Sequence, residues 1–452
     1  MKTIKKKNNL LIHNFRIYLF ILFSVALIAG GYLFYQKALY KYNDLTLRFR
    51  MIEQKIVSIG THIAGPIAAY QAQRGDAPIG FLNQEPNNIG LWTELDTPWE
   101  AQRYVKTKAL SKYGNNLVVG LLGHEAGDAA VYSFNGQWKI LGSSKITPQW
   151  KNLSYVQVLR EFDGKLFAGI DHQVWMYDKV STSWNKVGEN ANGFPWGHHP
   201  ATAYNLVVHN SQLYVGIMDK QPEVYRLAGD YWEKVSDGLP TDDEYLGVYE
   251  TWHHSDGKLY ASLATELGHS TSVYVFNDER MFWTKIGGQG LNGSWINNGL
   301  GYGTSFSSHN SWLILTTSRH PMAPGHFSSV WGYDGNEWYP IGASNAPLNE
   351  WKNINAFNAS LSMGDNLYIG SGGHPAGQAI VWQYTSQGWT LVGGRGVRGS
   401  WGAEFPHTLT SSLRHTDAEY PYRMIEWKNK MVVGFGDAIG AAKLYLYDPQ
   451  PH

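Results

Sequence analysis

A three-part motif recurs seven times between residue 90 and the C-terminus, and this repetition constrains the fold more than any other feature of the sequence. The first part is a small apolar run such as LVVG at 117 or LYVG at 213. The second alternates apolar and aromatic residues, as in VYSFNG at 131. The third is built on a tryptophan, and these tryptophans follow one another at intervals of 46 to 55 residues: Trp92, Trp138, Trp184, Trp232, Trp283, Trp338 and Trp389. All three parts have the composition of β-strands.

A less regular strand precedes each apolar run, as in YVQVLREF at 155, so every repeat contains four strands. This pattern resembles the kelch- and WD-like β-propeller superfamily over about four-fifths of the chain. The resemblance lies in the architecture, since the kelch double glycine is missing from most repeats and the Trp-Asp pair of WD40 blades is absent. It implies an all-β fold in residues 90–452, a seven-bladed β-propeller of four-stranded blades.

The order of the motif parts predicts how the ring closes. A tryptophan strand, LWTELD at 91, comes before all other parts, and the last repeat ends in LYLYD at 444 without a tryptophan strand. We therefore expect the N-terminal strand to complete the blade that the C-terminal strands begin. Closure of this kind leaves no free edge at the ends of the ring.

The N-terminus predicts a membrane anchor. Residues Ile17 to Tyr35 carry no charge, and a helix of this length just spans a hydrocarbon core of roughly 30 Å. The preceding tail is basic and contains no acid, which favours its retention in the cytoplasm. The sequence thus predicts a cytoplasmic tail (1–16), a transmembrane signal-anchor helix (17–36), a juxtamembrane helix and linker (37–89), and an extracytoplasmic propeller that is periplasmic or extracellular. A cleaved signal peptide is the alternative, and it also exports the main body.

Charge and cysteine content exclude several functions. Residues 90–452 carry 26 Lys and Arg against 33 Asp and Glu, so the main body is mildly acidic and no nucleic-acid partner is expected. The chain has no cysteine, which excludes disulfides, thiolate zinc sites and a cysteine nucleophile.

Several histidines fall in loops that a propeller would gather on one face. If the strands of each blade are labelled a to d from the axis outward, the d–a and b–c loops share a face, where propeller pockets usually open. His124, His269 and His374 occupy b–c loops and are the best candidates for a divalent metal site. Ordinary loop histidines are the alternative, because no metal-ligand spacing links them.

The longest d–a loop, from about Gly394 to Pro421, is the main candidate for a ligand site on the same face. Its arginines favour an anion such as a uronic acid. The candidate ligand-binding residues from this loop and from an earlier d–a loop are Arg395, Arg398, Trp401, His407, Arg414, His415, Trp196, His198 and His199. Trp401 also belongs to a second tryptophan series (Trp99, Trp150, Trp196, Trp295, Trp351 and Trp401), whose repetition favours packing between blades over ligand contact.

Three functions remain open from the sequence. The first is a membrane-anchored binding module that presents its d–a and b–c loop face to a glycan or protein partner. The second is an enzyme acting on polysaccharide, for example a metal-assisted lyase, that uses the histidines and arginines of that face. The third is a structural subunit of an envelope complex. A propeller fold by itself does not separate them.

Overall fold

The computed structural model describes residues 91–100, 103–189, 201–219, 221–242, 244–266, 269–296, 300–318, 328–343, 354–373, 379–385, 388–394, 397–401, 420–436 and 442–449. The chain divides at Gln84 and Glu85 into two units, and every described residue lies in the second. The predicted tail, anchor helix and linker (1–89) therefore lie outside the described residues. Within the described ranges, no helix has the length and hydrophobicity needed to cross a membrane.

The described part of the chain is built from short antiparallel strands and three-residue 3-10 turns, with no α-helix. In chain order the strands are β1 (Leu91–Glu94), β2 (Tyr104–Tyr113), β3 (Asn116–Gly123), β4 (Ala130–Phe134), β5 (Trp138–Ser143), β6 (Val156–Phe162), β7 (Lys165–Ile170), β8 (Gln173–Asp178), β9 (Ser183–Glu189), β10 (Thr202–His209), β11 (Gln212–Met218), β12 (Glu223–Ala228), β13 (Tyr231–Lys234) and β14 (Tyr245–His253). They continue with β15 (Leu259–Thr265), β16 (Val273–Asn277), β17 (Phe282–Gly287), β18 (Tyr302–His309), β19 (Trp312–Ser318), β20 (Ser329–Tyr333), β21 (Trp338–Ala343), β22 (Ile354–Met363), β23 (Asn366–Gly373), β24 (Ile380–Thr385), β25 (Gly388–Gly393), β26 (Tyr420–Trp427), β27 (Lys430–Gly436) and β28 (Leu444–Asp448). The all-β prediction is confirmed.

Consecutive strands pair in antiparallel groups of four, β2–β5, β6–β9, β10–β13, β14–β17, β18–β21 and β22–β25. The strands β26, β27 and β28 form a further group, whose fourth member is β1 from the other end of the domain. The register of that pair runs from Leu91 opposite Asp448 to Glu94 opposite Tyr445. The N-terminal strand thus pairs as the order of the motif parts predicts.

The first strand of each group contacts the first strand of the next, from β2 through β6, β10, β14, β18 and β22 to β26, and β26 contacts β2 again. We call these the inner strands. Curled antiparallel sheets that meet around a common axis in this way have the propeller architecture.

The apolar runs of the sequence motif form the second strand of each group, which is buried on both faces. Five of the seven runs end in glycine, and this glycine has a packing reason. A Cβ atom on Gly120 would lie 2.3 Å from Val156 Cγ1, and one on Gly169 would lie 2.5 Å from the carbonyl oxygen of Ala203. Both neighbours belong to the inner strand of the following group, so only glycine allows the sheets to approach this closely.

The motif tryptophans join neighbouring groups at the outer strands. Each donates its indole N–H to a backbone carbonyl of the preceding group, at 2.6 to 2.9 Å: Trp92 to Val392, Trp138 to Asp96, Trp184 to Leu141, Trp232 to Val187, Trp283 to Val235, Trp338 to Ile286, and Trp389 to Ile341. Because each bond crosses from one sheet to the next, the tryptophans hold the groups together, and their role is structural.

The described members of the second tryptophan series, Trp99, Trp150, Trp295 and Trp401, are also buried. Each packs against a motif tryptophan, with ring centroids 5.0 to 5.4 Å apart. Two of them end a similar turn, LNGSW at 291 and VRGSW at 397, in which a serine hydroxyl accepts a backbone N–H at 2.8 Å. These contacts favour the packing role for the series, including Trp401.

Candidate functional site

The central channel holds a cavity of about 430 Å³ that is lined by the inner strands β2, β6, β14, β18, β22 and β26. This volume lies in the range of roughly 300–1,000 Å³ that is usual for small-molecule sites. The lining extends to Lys112, Glu161 and Glu426, each the penultimate residue of its inner strand. The cavity therefore lies toward the turns between the first and second strands, on the face opposite to the one that the loop histidines and arginines favour.

Each inner strand contains a β-bulge in its pairing with the second strand of its group. The residues at the bulges are Lys108, Gln157, Tyr204, Tyr249, Thr304, Asn358 and Tyr422. Because a bulge adds one residue to a strand and redirects its side chains, it can place polar groups where regular alternation would place core residues.

Several bulge residues contact one another along the channel. The Nζ atom of Lys108 donates to Gln157 Oε1 at 2.9 Å and lies 3.4 Å from the ring centroid of Tyr204. The ring of Tyr204 packs on that of Tyr249 at 5.0 Å, and Tyr249 packs on Tyr302 at 5.4 Å. Burial raises the pKa of Tyr204 well above its usual value and that of Tyr249 to about 12, so both phenols are neutral near pH 7.

Next to these bulges, two arginines and one glutamate line the cavity. The guanidinium of Arg423 binds both carboxylate oxygens of Glu250, at 2.7 and 3.2 Å. Burial opposes the charge of Arg423, but the adjacent Glu250 outweighs it and raises the pKa. Arg160 donates from Nε to the carbonyl oxygen of Leu206 at 3.1 Å. Burial, and then repulsion from Arg423, lower the pKa of Arg160.

Serine hydroxyls form much of the remaining wall. Ser305 and Ser360 of adjacent inner strands lie 3.0 Å apart, and Ser308 accepts the indole N–H of Trp252 at 3.2 Å. Ser307 is only 2% exposed, and its hydroxyl has no hydrogen-bond partner in the described structure. A buried polar group without a partner is costly, so Ser307 marks a place where a ligand or water would be stabilised.

Histidines cluster near the same end of the channel. His209 is fully buried, and its Nδ1 atom lies 2.8 Å from Nδ1 of His253. Its Nε2 atom lies 3.0 Å from the carboxylate of Asp278. An ionised Asp278 can only accept, so Nε2 of His209 is the donor in that contact. Burial and the neighbouring His209 lower the pKa of His253.

This cluster and His309 predict a loss of stability in mild acid. Burial lowers the pKa of His309, as it does that of His253, so the unfolded chain takes up protons first as the pH falls below about 6.5. We expect the denaturation midpoint to be highest above pH 7 and to fall between pH 7 and 5.5. In the variant His309→Gln this fall is smaller, as measured by urea denaturation across the same range. A midpoint that is constant or rises toward pH 5.5 would contradict the assignment.

Few of the residues predicted from the sequence fall in the described part of the chain. Arg398 donates to the hydroxyl of Tyr447 at 3.0 Å, and Trp401 is buried as described above. His124 is exposed, and Nδ1 of His269 lies 3.2 Å from Glu244. The predicted residues Arg395, His407, Arg414, His415, Trp196, His198, His199 and His374 lie outside the described residues. Among those described, no group of three His, Asp or Glu side chains is arranged to hold a metal ion.

The channel residues lie within the inner strands, whereas the motifs that predict a site from the sequence all fall in loops. A signal was present in the inner strands themselves, where charged residues interrupt otherwise apolar or aromatic segments: Arg160 in VQVLREF, Glu250 in YLGVYETWH and Arg423 in YPYRMIEW. A charge in the middle of a strand that the fold places at the axis indicates a polar channel, since such residues are otherwise excluded from a core.

No protein-family model and no curated protein matches the chain. Two solved structures of similar fold are extracellular domains from B. thetaiotaomicron, one of a putative hybrid two-component system (12% identity, TM-score 0.52) and one of a putative one-component system (11% identity, TM-score 0.53). Each similarity covers 79% of this chain and 40% of the other, so this chain spans less than half of those structures. The Dos1 propeller is similar at 11% identity over 76% of this chain and 78% of its own, with a TM-score of 0.45. These similarities support the fold alone.

Proposed function

We propose that the protein is a ligand-binding module, a seven-bladed β-propeller that is held outside the cytoplasm by its N-terminal helix and binds a small ligand in its central channel. The cavity carries this proposal, because it combines a suitable volume with polar groups from six inner strands and an unpartnered hydroxyl at Ser307. Convergent polar groups in a concave site are the usual mark of a binding site.

The blade count and the closure of the ring are supported by the strand pairing. Six groups of four consecutive strands, together with the group that β1 completes, give seven blades. The cyclic contacts of the inner strands and the tryptophan hydrogen bonds follow the same order around the ring.

The extracytoplasmic location rests on the sequence of residues 1–36, and it agrees with the similar solved structures being extracellular domains of putative signalling systems. A sensor role agrees with both. The proposed partner is a small molecule such as a glycan fragment rather than a protein, because a cavity within the channel encloses a small molecule but not a folded surface.

The test is a thermal-shift screen of the full chain in mild detergent with mono- and disaccharides, sugar acids, amino acids and short peptides. A ligand at a hundred times its dissociation constant stabilises the native state by about 2.7 kcal/mol. The variant Ser111→Trp narrows the cavity from a half-buried lining position, and Thr284→Trp on the exposed side of β17 is the control.

We expect at least one sugar compound to raise the unfolding midpoint of the wild type and of Thr284→Trp but not of Ser111→Trp. Stabilisation that persists in Ser111→Trp would place binding outside the channel and contradict the proposal. The absence of any stabilising compound would also count against it.

A further inference from the structure

The charges of the channel indicate what the ligand is. In its deeper part the cavity is lined by two cationic side chains, Arg160 and Arg423, and one carboxylate, Glu250, while Lys106 and Lys108 of β2 lie outside its lining. Toward the turns, Lys112 is accompanied by Glu161 and Glu426. The interior of the channel is therefore positive, and its mouth is slightly negative.

Arg160 lines the cavity without a direct carboxylate partner, although Glu250 offsets part of the cost of its charge from a distance. Glu250 is already bound by both terminal nitrogens of Arg423, and no described carboxylate forms an ion pair with Arg160. In its described hydrogen bond, Arg160 donates from Nε to the neutral carbonyl oxygen of Leu206. The unfavourable environment of its charge, from burial and from Arg423, would be relieved by an anion in the cavity.

The uncharged side chains that line the cavity indicate the chemistry of the uncharged part of the ligand. Ser305, Ser307, Ser308, Ser360, Ser362 and Ser111 all line the cavity. Hydroxyl groups both donate and accept, so this wall suits a molecule that carries several hydroxyls of its own. The side chain of Trp252 also lines the cavity and offers an aromatic surface beside these polar groups.

We propose that the channel binds a small hydroxylated carboxylate, such as a sugar acid, with the carboxylate at Arg160 and the hydroxyls along the serine wall. This inference rests on the proposed function and adds the chemical class of the ligand. A guanidinium is suited to this role because its planar N–H groups match the two oxygens of a carboxylate.

The experiment is isothermal titration of the full chain in mild detergent with D-glucuronate and D-galacturonate, and with their neutral parents D-glucose and D-galactose. We expect each uronate to bind at least tenfold more tightly than its parent and the difference to shrink as salt is raised. In Arg160→Met the uronate affinity should fall to that of the neutral sugar. Arg226→Met, which removes an arginine from the outer part of another sheet, should leave both affinities unchanged.

If uronates and neutral sugars bind with equal affinity, and Ser111→Trp abolishes the binding of both, the carboxylate assignment is overturned and the proposed function stays in place. Tight uronate binding that is unaffected in Arg160→Met would also overturn it. If none of the four sugars binds, the assignment fails, and the broader screen then decides whether the proposed function fails with it. Should Arg160→Met not fold, Arg160→Gln, which also removes the charge but keeps N–H donors, and the salt dependence of the wild type give the same decision.

Discussion

Replacing Glu250 with alanine is expected to lower the free energy of unfolding by about 3 kcal/mol, because it leaves the guanidinium of Arg423 in the channel without its partner. Glu250 is 7% exposed and accepts two hydrogen bonds from Arg423. In its absence Arg423 and Arg160 face each other without a compensating charge. Urea denaturation at pH 7.5 measures the change.

The matched control is Glu233→Ala, which breaks an ion pair between Glu233 and Arg226 near the surface. Exposed pairs of this kind contribute at most about 1 kcal/mol, so this variant should be close to the wild type. The double variant Glu250→Ala/Arg423→Met should recover part of the loss, since neither charge of the pair then remains. A loss in Glu250→Ala no larger than in Glu233→Ala would show that the pair is not buried as described.

The second large effect is expected at the tryptophans that join the blades. The variant Trp283→Phe should lower the free energy of unfolding by about 3 kcal/mol, through lost volume and an unpaired carbonyl. Trp283 is fully buried and donates its indole N–H to the carbonyl oxygen of Val235 at 2.7 Å. Phenylalanine keeps most of the ring packing but cannot make this bond.

Trp150 provides the control, because it is equally buried but its indole nitrogen has no hydrogen-bond partner in the described structure. The variant Trp150→Phe loses volume but no hydrogen bond, and it removes an unpaired buried N–H, so it should cost about 1–2 kcal/mol less than Trp283→Phe. Urea denaturation of both variants makes the comparison. Equal losses would mean that the hydrogen bonds between the sheets contribute nothing measurable to stability.

The architecture was predictable from the sequence because the repeated parts have local causes. The apolar runs form strands that are buried on both faces, and glycines such as Gly120 recur because the following sheet leaves no room for a side chain. The motif tryptophans recur because each makes the same bond to the preceding sheet. Because the same packing contacts recur in every blade, the residues that make them recur at regular intervals in the sequence.

The candidate site was not predictable in the same way, because it depends on residues that do not repeat. Arg160, Glu250 and Arg423 lie in three different inner strands and meet only across the channel. Glu250 and Arg423 are in contact although 173 residues separate them in the sequence. Nothing in the local sequence of either residue indicates the other. The bulges also make the site harder to predict. In a regular strand the side chains alternate between the two faces, but a bulge shifts this alternation by one residue, so the sequence alone does not tell which side chains face the axis.

The channel exists only if the ring is closed, because β26 and β2 line the same cavity from opposite ends of the domain. The most direct test is a disulfide between β1 and β28 in the variant Thr93→Cys/Leu446→Cys. These residues are directly opposite each other in the register of the two strands, and the native chain has no cysteine to compete. The control Thr93→Cys/Asp448→Cys places the second thiol two residues out of register.

The measurement is the fraction of cross-linked protein after mild oxidation, determined by peptide mass mapping of the full chain. Ring closure predicts that Thr93→Cys/Leu446→Cys forms the intramolecular disulfide almost completely and that the control forms little. If the in-register pair does not cross-link, or links no better than the control, the N-terminal strand does not complete the last blade, and the described closure of the ring is wrong.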